Sequence, residues 1–171
     1  MKNIIFVFLL VFSSNMFAQE LNKVIIDPQL EKEVLIGKCN RDGLKSDVFA
    51  EYYNEGYNNY VPDANTLKQL KKRKKKKGIS IVIVMGSWCG DSEEQVPKFY
   101  KILDQIGFKE SKVELISVDG AKTAGDEDIS GLNIQRVPTF FFYKDGREIG
   151  KIVETPTSSL EKDMLLIVSL N

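Results

Sequence analysis

The rhythm of hydrophobic and polar positions changes twice along this chain. Ile4 to Phe12 is an unbroken apolar run. From Leu21 to Lys77 the pattern turns polar-faced and mostly helical. Phe49, Tyr53, Tyr57 and Tyr60 fall at helical spacing, with Ser46 or Asp47 as N-cap and Val61-Pro62 as the stop. That aromatic stripe could form a ligand platform, but a core-facing stripe is the better reading on ordinary burial preferences. A second helix starts at Asp63, whose side chain can cap it, and runs through Leu67 and Leu70 into the basic run Lys71–Lys77 before Gly78.

After Gly78 the period shortens. Ile79 to Met85 is β-branched and apolar at successive positions, which predicts a central strand buried on both faces. Gly86-Ser87-Trp88-Cys89-Gly90-Asp91 reads as a turn, and Ser92 to Gly107 as a helix with Val96, Phe99, Tyr100, Leu103 and Ile106 on one side. Val113 to Val118 is the next buried strand, so the βαβ unit should be parallel and right-handed. An irregular stretch, 119–135, carries the acidic loop Asp126-Glu127-Asp128. A hairpin of Thr139–Tyr143 and Arg147–Val153 follows, turning at Lys144-Asp145-Gly146. A last helix spans about Thr157 to Val168, capped by Thr157 or Ser158. The expected organisation is an α/β domain over 78–171, with a mainly helical extension, 19–77, packed on it.

The opening run changes the picture of where this happens. Lys2, the apolar stretch and Met16-Phe17-Ala18 before Gln19 have the layout of a secretory signal peptide over 1–18, cut after Ala18. Nine apolar residues are too few to cross a hydrocarbon core, which needs about 20. The mature protein is therefore expected to be periplasmic or secreted. The chain has 24 basic and 24 acidic residues, a balance that gives no argument for nucleic acid. Seven of the basic residues sit in Lys71–Lys77. Such a run could touch an anionic membrane, but a solvated helix end whose cations favour the negative pole of the dipole is the better reading.

Absences narrow the chemistry. The chain contains no histidine, which removes Ser-His-Asp and Cys-His catalysis and imidazole metal sites. Two cysteines, Cys39 and Cys89, are too few for a four-thiolate zinc site or a disulfide scaffold. No metal and no cofactor is expected. Thiol chemistry at Cys89 is what remains. A cysteine between a buried strand and a helix faces unpaired helix amides and the positive end of the dipole, both of which favour the nucleophilic thiolate. Trp88 would cover one side of the sulfur and Gly90 would let another chain approach. Asp91 competes with the thiolate for the same positive field.

The order strand, Trp88-Cys89-Gly90-Asp91-Ser92, helix, strand, Val137-Pro138-Thr139, strand, Lys144-Asp145-Gly146, strand, helix resembles the thioredoxin family from about Ile79 to the C-terminus. Together with Val96-Pro97 and Glu148-Ile149-Gly150, the centre is similar to that of an exported bacterial thioredoxin-like group with a W-C-G-D-S motif. The resemblance implies a mixed central sheet flanked by helices. It also implies a cis bond before Pro138, which would lie against the sulfur while the backbone of Val137 pairs with an extended substrate chain.

Two departures matter. Ser92 stands where the family has its second, resolving cysteine, and Ile83 stands where its reductases keep a buried carboxylate. Cys89 can then form a mixed disulfide that no neighbouring thiol expels, with Ser92 at most donating to the thiolate. Three routes stay open. A small thiol or the substrate's own second cysteine resolves the intermediate, in reduction or isomerisation; Cys39 resolves it, unless Cys39 is simply free; or catalysis is lost and the groove beside Pro138 is a peptide-binding or chaperone-like module. The implied partners are exported proteins or peptides with disulfides, and a small thiol or membrane-linked reductant as electron source.

Overall fold

The computed structural model describes residues 20–73 and 78–170. The expected signal peptide, 1–18, and the end of the lysine run, 74–77, lie outside the described residues. Six strands form one mixed sheet: β1 (Lys23–Asp27), β2 (Lys32–Cys39), β3 (Ile79–Met85), β4 (Val113–Ser117), β5 (Thr139–Lys144) and β6 (Arg147–Val153), in the order β1-β2-β4-β3-β5-β6. The helices are α1 (Arg41–Leu44), α2 (Ala50–Asn59), α3 (Ala64–Arg73), α4 (Gly90–Ile106) and α5 (Leu160–Leu170). β3 lies at the centre, parallel to β4 and antiparallel to β5, so β3-α4-β4 is the expected parallel crossover.

The two-residue period of β3 sorts its side chains between two cores. Ile81, Ile83 and Met85 join Phe140 and Phe142 of β5 in a cluster with the buried faces of α2, α3, α4 and α5. Val84, with Ile116 and Phe141, belongs to a second cluster on the other face, completed by Val118, Ala124 and Val137. The expected α4 stripe of Val96, Phe99, Tyr100, Leu103 and Ile106 is wholly buried. Gly107 ends that helix in the left-handed conformation at φ 65°. Asp145 and Gly146, at φ 51° and 81°, give the β5–β6 hairpin the paired positive φ of a tight turn.

The N-terminal extension departs from its expected helical character. Residues 23–39 form an antiparallel hairpin, and β2 continues the sheet by pairing with β4, Cys39 opposite Leu115. The short apolar runs Val24–Ile26 and Val34–Ile36 pair with each other, and the end of β2, Gly37 to Cys39, gains its ladder partners from β4, more than seventy residues away. Asp27 ties this hairpin down. Its carboxylate accepts the amides of Gln29 (2.7 Å) and Leu30 (2.9 Å) in the turn, and that of Gly120 (2.6 Å) beyond β4. The Gly120 amide does most to hold this carboxyl below its ordinary range, against the cost of burial.

Helical structure begins at Asn40, whose Oδ1 accepts the amides of Asp42 and Gly43. α2 starts later than expected and neither Ser46 nor Asp47 caps it. The Ser46 hydroxyl instead donates to the Gly43 carbonyl at 2.7 Å, and Phe49 holds the cap position with no side-chain bond. Asp63 does cap α3, accepting the Thr66 amide at 2.8 Å. α5 also starts late, at Leu160. Thr157 and Ser158 precede it, their amides held by Asp163 reaching back, at 2.6 and 3.3 Å.

Two contacts seat α1 and α2 on α4. A Cβ on Gly56 would come within 3.0 Å of Pro97 Cβ, so glycine is what allows the two helices to meet there. Further along, the Arg41 guanidinium grips Asp104 through two 2.6 Å bonds, reaches Glu110 at 2.7 Å and lies over the Tyr100 ring. The Tyr57 hydroxyl donates to the same Asp104 at 2.6 Å. Burial would raise the Asp104 carboxyl, but the Arg41 and Tyr57 bonds outweigh it and hold the group below its usual range.

Candidate active site

Parallel strands β3 and β4 end side by side, and the site is built on their C-terminal ends, where an α/β sheet opens a crevice. Cys89 occupies the N-cap of α4 with extended backbone (φ −99°, ψ 122°), so the first helical amides follow directly behind its sulfur. Its amide donates to the Gly86 carbonyl at 3.0 Å and its carbonyl accepts from Glu93 at 2.9 Å, which fixes the turn. The Val137–Pro138 bond is cis, and the Cys89 thiol donates to the Val137 carbonyl at 3.2 Å. Cys89, Val137 and Pro138, nearly fifty residues apart in sequence, thus meet at one edge.

Trp88 is held in place at both ends. Its indole Nε1 donates to the Val118 carbonyl at 2.9 Å. A Cβ on Gly86 would lie 2.7 Å from the ring, so the glycine makes the seat on which the ring rests. Trp88 and Cys89 border the second core cluster together with Ile129, Leu132 and Ile134, so the irregular stretch after β4 walls the site. Gly90 is exposed, and a side chain there would meet open space, leaving the helix terminus approachable.

Ser92 is fully buried, and its oxygen accepts the Gly86 amide at 3.2 Å. The hydroxyl in the second-cysteine position therefore braces the turn beneath Cys89. Ser87, buried beside it, accepts the Leu35 amide at 2.9 Å and ties the turn to β2. Ile83 is buried in the middle of β3 among apolar neighbours.

Cys39 is not brought to this site. It lies in the helix-side core cluster, paired with Leu115 in mid-sheet, whereas Cys89 borders the cluster on the opposite face; both are free thiols. Burial pushes the Cys39 thiol up to about 12, despite a backbone bond that works the other way. Such a thiol is an inert core residue at neutral pH.

Sequence reasoning missed Val118 and Ser87. Val118 was legible in principle, as the end of the strand parallel to β3; the partner of Ser87 was hidden with the undetected β2. Among the described residues no helix is long and apolar enough to cross a membrane, and no group of three or more acidic or cysteine side chains could hold a metal ion.

Known proteins share this arrangement. The sequence profile of a family described as Thioredoxin matches residues 45–164. A thioredoxin of Aspergillus fumigatus, Asp f 29, is 30% identical over 101 residues, 59% of this chain and 86% of that protein. A thioredoxin of Coprinus comatus is 30% identical over 83 residues, 48% of this chain and 74% of the other. The crystal structure of Fasciola hepatica thioredoxin superposes with a TM-score of 0.39 at 22% identity, covering 61% of this chain and 89% of that one. With its strand-turn-helix cysteine at the end of a central strand and a family match over more than half its length, the chain belongs to the thioredoxin family and has a redox function of the thioredoxin type.

Proposed function

We propose that the protein is an exported monothiol thioredoxin-like exchanger that acts on disulfides of other exported proteins. The observation that carries this reading is the pairing of an accessible Cys89 at the α4 terminus with a buried, hydrogen-bonded Ser92 in the second position. The Cys89 thiolate attacks one sulfur of a substrate disulfide. A Cys89–substrate disulfide forms and a substrate thiolate leaves. A second thiol then attacks the substrate sulfur and returns Cys89 as thiolate. When that thiol is the substrate's own cysteine, the net result is isomerisation. When two small-molecule thiols take part, the substrate is reduced and they leave as a disulfide.

The Val137 carbonyl links binding to chemistry. It accepts the thiol proton at rest, so loss of that proton frees it for the backbone of an incoming chain. The buried position of Cys39 argues against its serving as the internal resolving thiol. The signal-peptide pattern of residues 1–18 supports export.

The test is refolding of a scrambled-disulfide protein by the purified mature chain with a small thiol present. Exchange that is lost in Cys89→Ala, with a Cys89–substrate adduct seen by mass spectrometry, is expected. Exchange unaffected by that substitution would reject the proposal. An adduct-free protein that still binds the unfolded substrate would instead favour a peptide-binding module.

A further inference from the structure

A cleft of about 400 Å³ opens between α2 and the first turns of α4, and Gly90, next to the redox cysteine, forms one end of it. Its walls are of two kinds. Tyr52 and Tyr60 of the α2 region supply aromatic side chains, Tyr52 being 43% exposed, and Glu55, Glu93 and Glu94 supply carboxyl groups. Among the described residues Lys98, at the far end, is the one cation lining the cleft; it pairs with Glu94 at 2.6 Å and lies 5.7 Å from the Tyr60 ring. Glu94 is thus compensated, and Glu55 and Glu93 leave the cleft net negative. The close Gly56–Pro97 contact forms its floor, so its shape is set by the packing of two helices.

We propose that this cleft receives an arginine or lysine side chain of the disulfide-bearing partner, so that the protein selects disulfides flanked by basic residues. This rests on the exchange activity proposed above and names its substrate class. Tyrosine rings with carboxylates beside them suit a cation, which gains from the ring faces and the charges together. The Lys98–Tyr60 approach is the same contact made within the chain. Continuity with the attacked sulfur sets the spacing. Glu93 and Glu94 stand about 6–8 Å along the helix axis from Cys89 at 1.5 Å per residue. An extended chain advances about 3.3 Å per residue, so roughly two to three residues span that distance between the partner cysteine and the basic residue.

Two sets of peptides of equal length test this, with arginine, glutamine or glutamate three positions from a central residue. In one set that residue is cysteine carrying a thionitrobenzoate disulfide, and in the other it is serine. Release of thionitrobenzoate reports attack by Cys89, and fluorescence anisotropy of the serine peptides reports binding without chemistry. The arginine peptide is expected to react and bind about tenfold better than the glutamate peptide at low salt, the sum of two exposed ion pairs and a ring contact. High salt should shrink the ratio, and Glu55→Lys with Glu93→Gln should abolish or invert it. The ratio is the readout, so a general change in thiol reactivity cancels.

Equal rates and equal binding across the charge series overturn the cleft proposal while leaving exchange intact. A ratio that survives the double substitution overturns it too. Peptides that bind by charge as expected but never react with Cys89 reject the exchange activity and leave the cation cleft standing.

Discussion

The two cysteines differ in almost every property that governs reactivity, though they are chemically the same group. Cys39 closes β2, laddered with Leu115 of β4 and 7% exposed among apolar and aromatic side chains, its thiol raised to about 12. Cys89 lies at the end of a strand, capping a 17-residue helix, half-buried, against a backbone carbonyl. The difference comes from position in the sheet. A residue inside a ladder is surrounded by neighbours whose hydrogen bonds are complete. One past the end of a central strand faces amides that have no partner.

The largest effect expected from this contrast is on exchange itself. Cys89→Ala should cut the refolding of scrambled substrate by at least about a hundredfold, the loss of a nucleophile. Cys39→Ala should hold the rate within about twofold and instead lower unfolding free energy by about 1 kcal/mol, measured by urea titration. A Cys39→Ala protein that lost exchange would make the buried thiol a redox partner after all.

Alkylation sharpens the same contrast. In native buffer Cys89 should react with iodoacetamide about a hundredfold or more faster than Cys39, read by peptide mass spectrometry. Cys39 should become reactive only as the sheet opens in urea. Comparable native rates would contradict the core placement of Cys39.

The pH dependence of stability is a weaker lever with a defined sign. A thiol raised in the folded state from an ordinary 9.0 to about 12 binds its proton more tightly there than when unfolded. Its contribution is therefore complete below pH 9 and is lost as pH climbs toward 12. Tyr57, raised mainly by burial and also by Asp104 to about 12, acts in the same direction from its ordinary 10.0. Melting temperature should fall progressively above pH 9, and less steeply in Cys39→Ala. At the acid end Asp104, held low by Arg41 and Tyr57 against burial, contributes above its ordinary 3.8, and that contribution fades as pH drops through its lowered value.

The smallest expected effect is at the seam of α1 with the far end of α4. Arg41 and Asp104 remain partly exposed, with side chains 23% and 35% accessible, so Arg41→Ala should cost only about 1 kcal/mol in a urea titration. Exchange should be retained, because the network lies at the far end of α4 from Cys89. Loss of exchange there would mean that the seam positions the thiol.

Legibility followed the range of the interactions. β3, β5 and β6 were readable because each carries its own dense apolar or alternating pattern. α4 was readable because its stripe, its first-turn acids and its terminal glycine agree with one another. The Asp63 cap was a local signal and held. The hairpin of residues 23–39 is not legible, since its short runs are docked on the sheet through the pairing of Gly37 to Cys39 with β4, a contact no local window contains. The Asp27-Pro28 turn between two such runs was the available clue. At the site, the strand-turn-helix placement of Cys89 was legible from its motif. The bracing bond of Ser92 and the inert placement of Cys39 were not, because both depend on which way a side chain faces once the sheet has closed.

Trp88 is the chain's one tryptophan, and it sits between Gly86, the Val118 carbonyl and Cys89. Excitation at its absorption edge therefore samples a single fluorophore located beside the Cys89 sulfur. Adduct formation and arrival of a peptide should each alter its emission without any label. The protein carries its own optical probe for every step proposed for it.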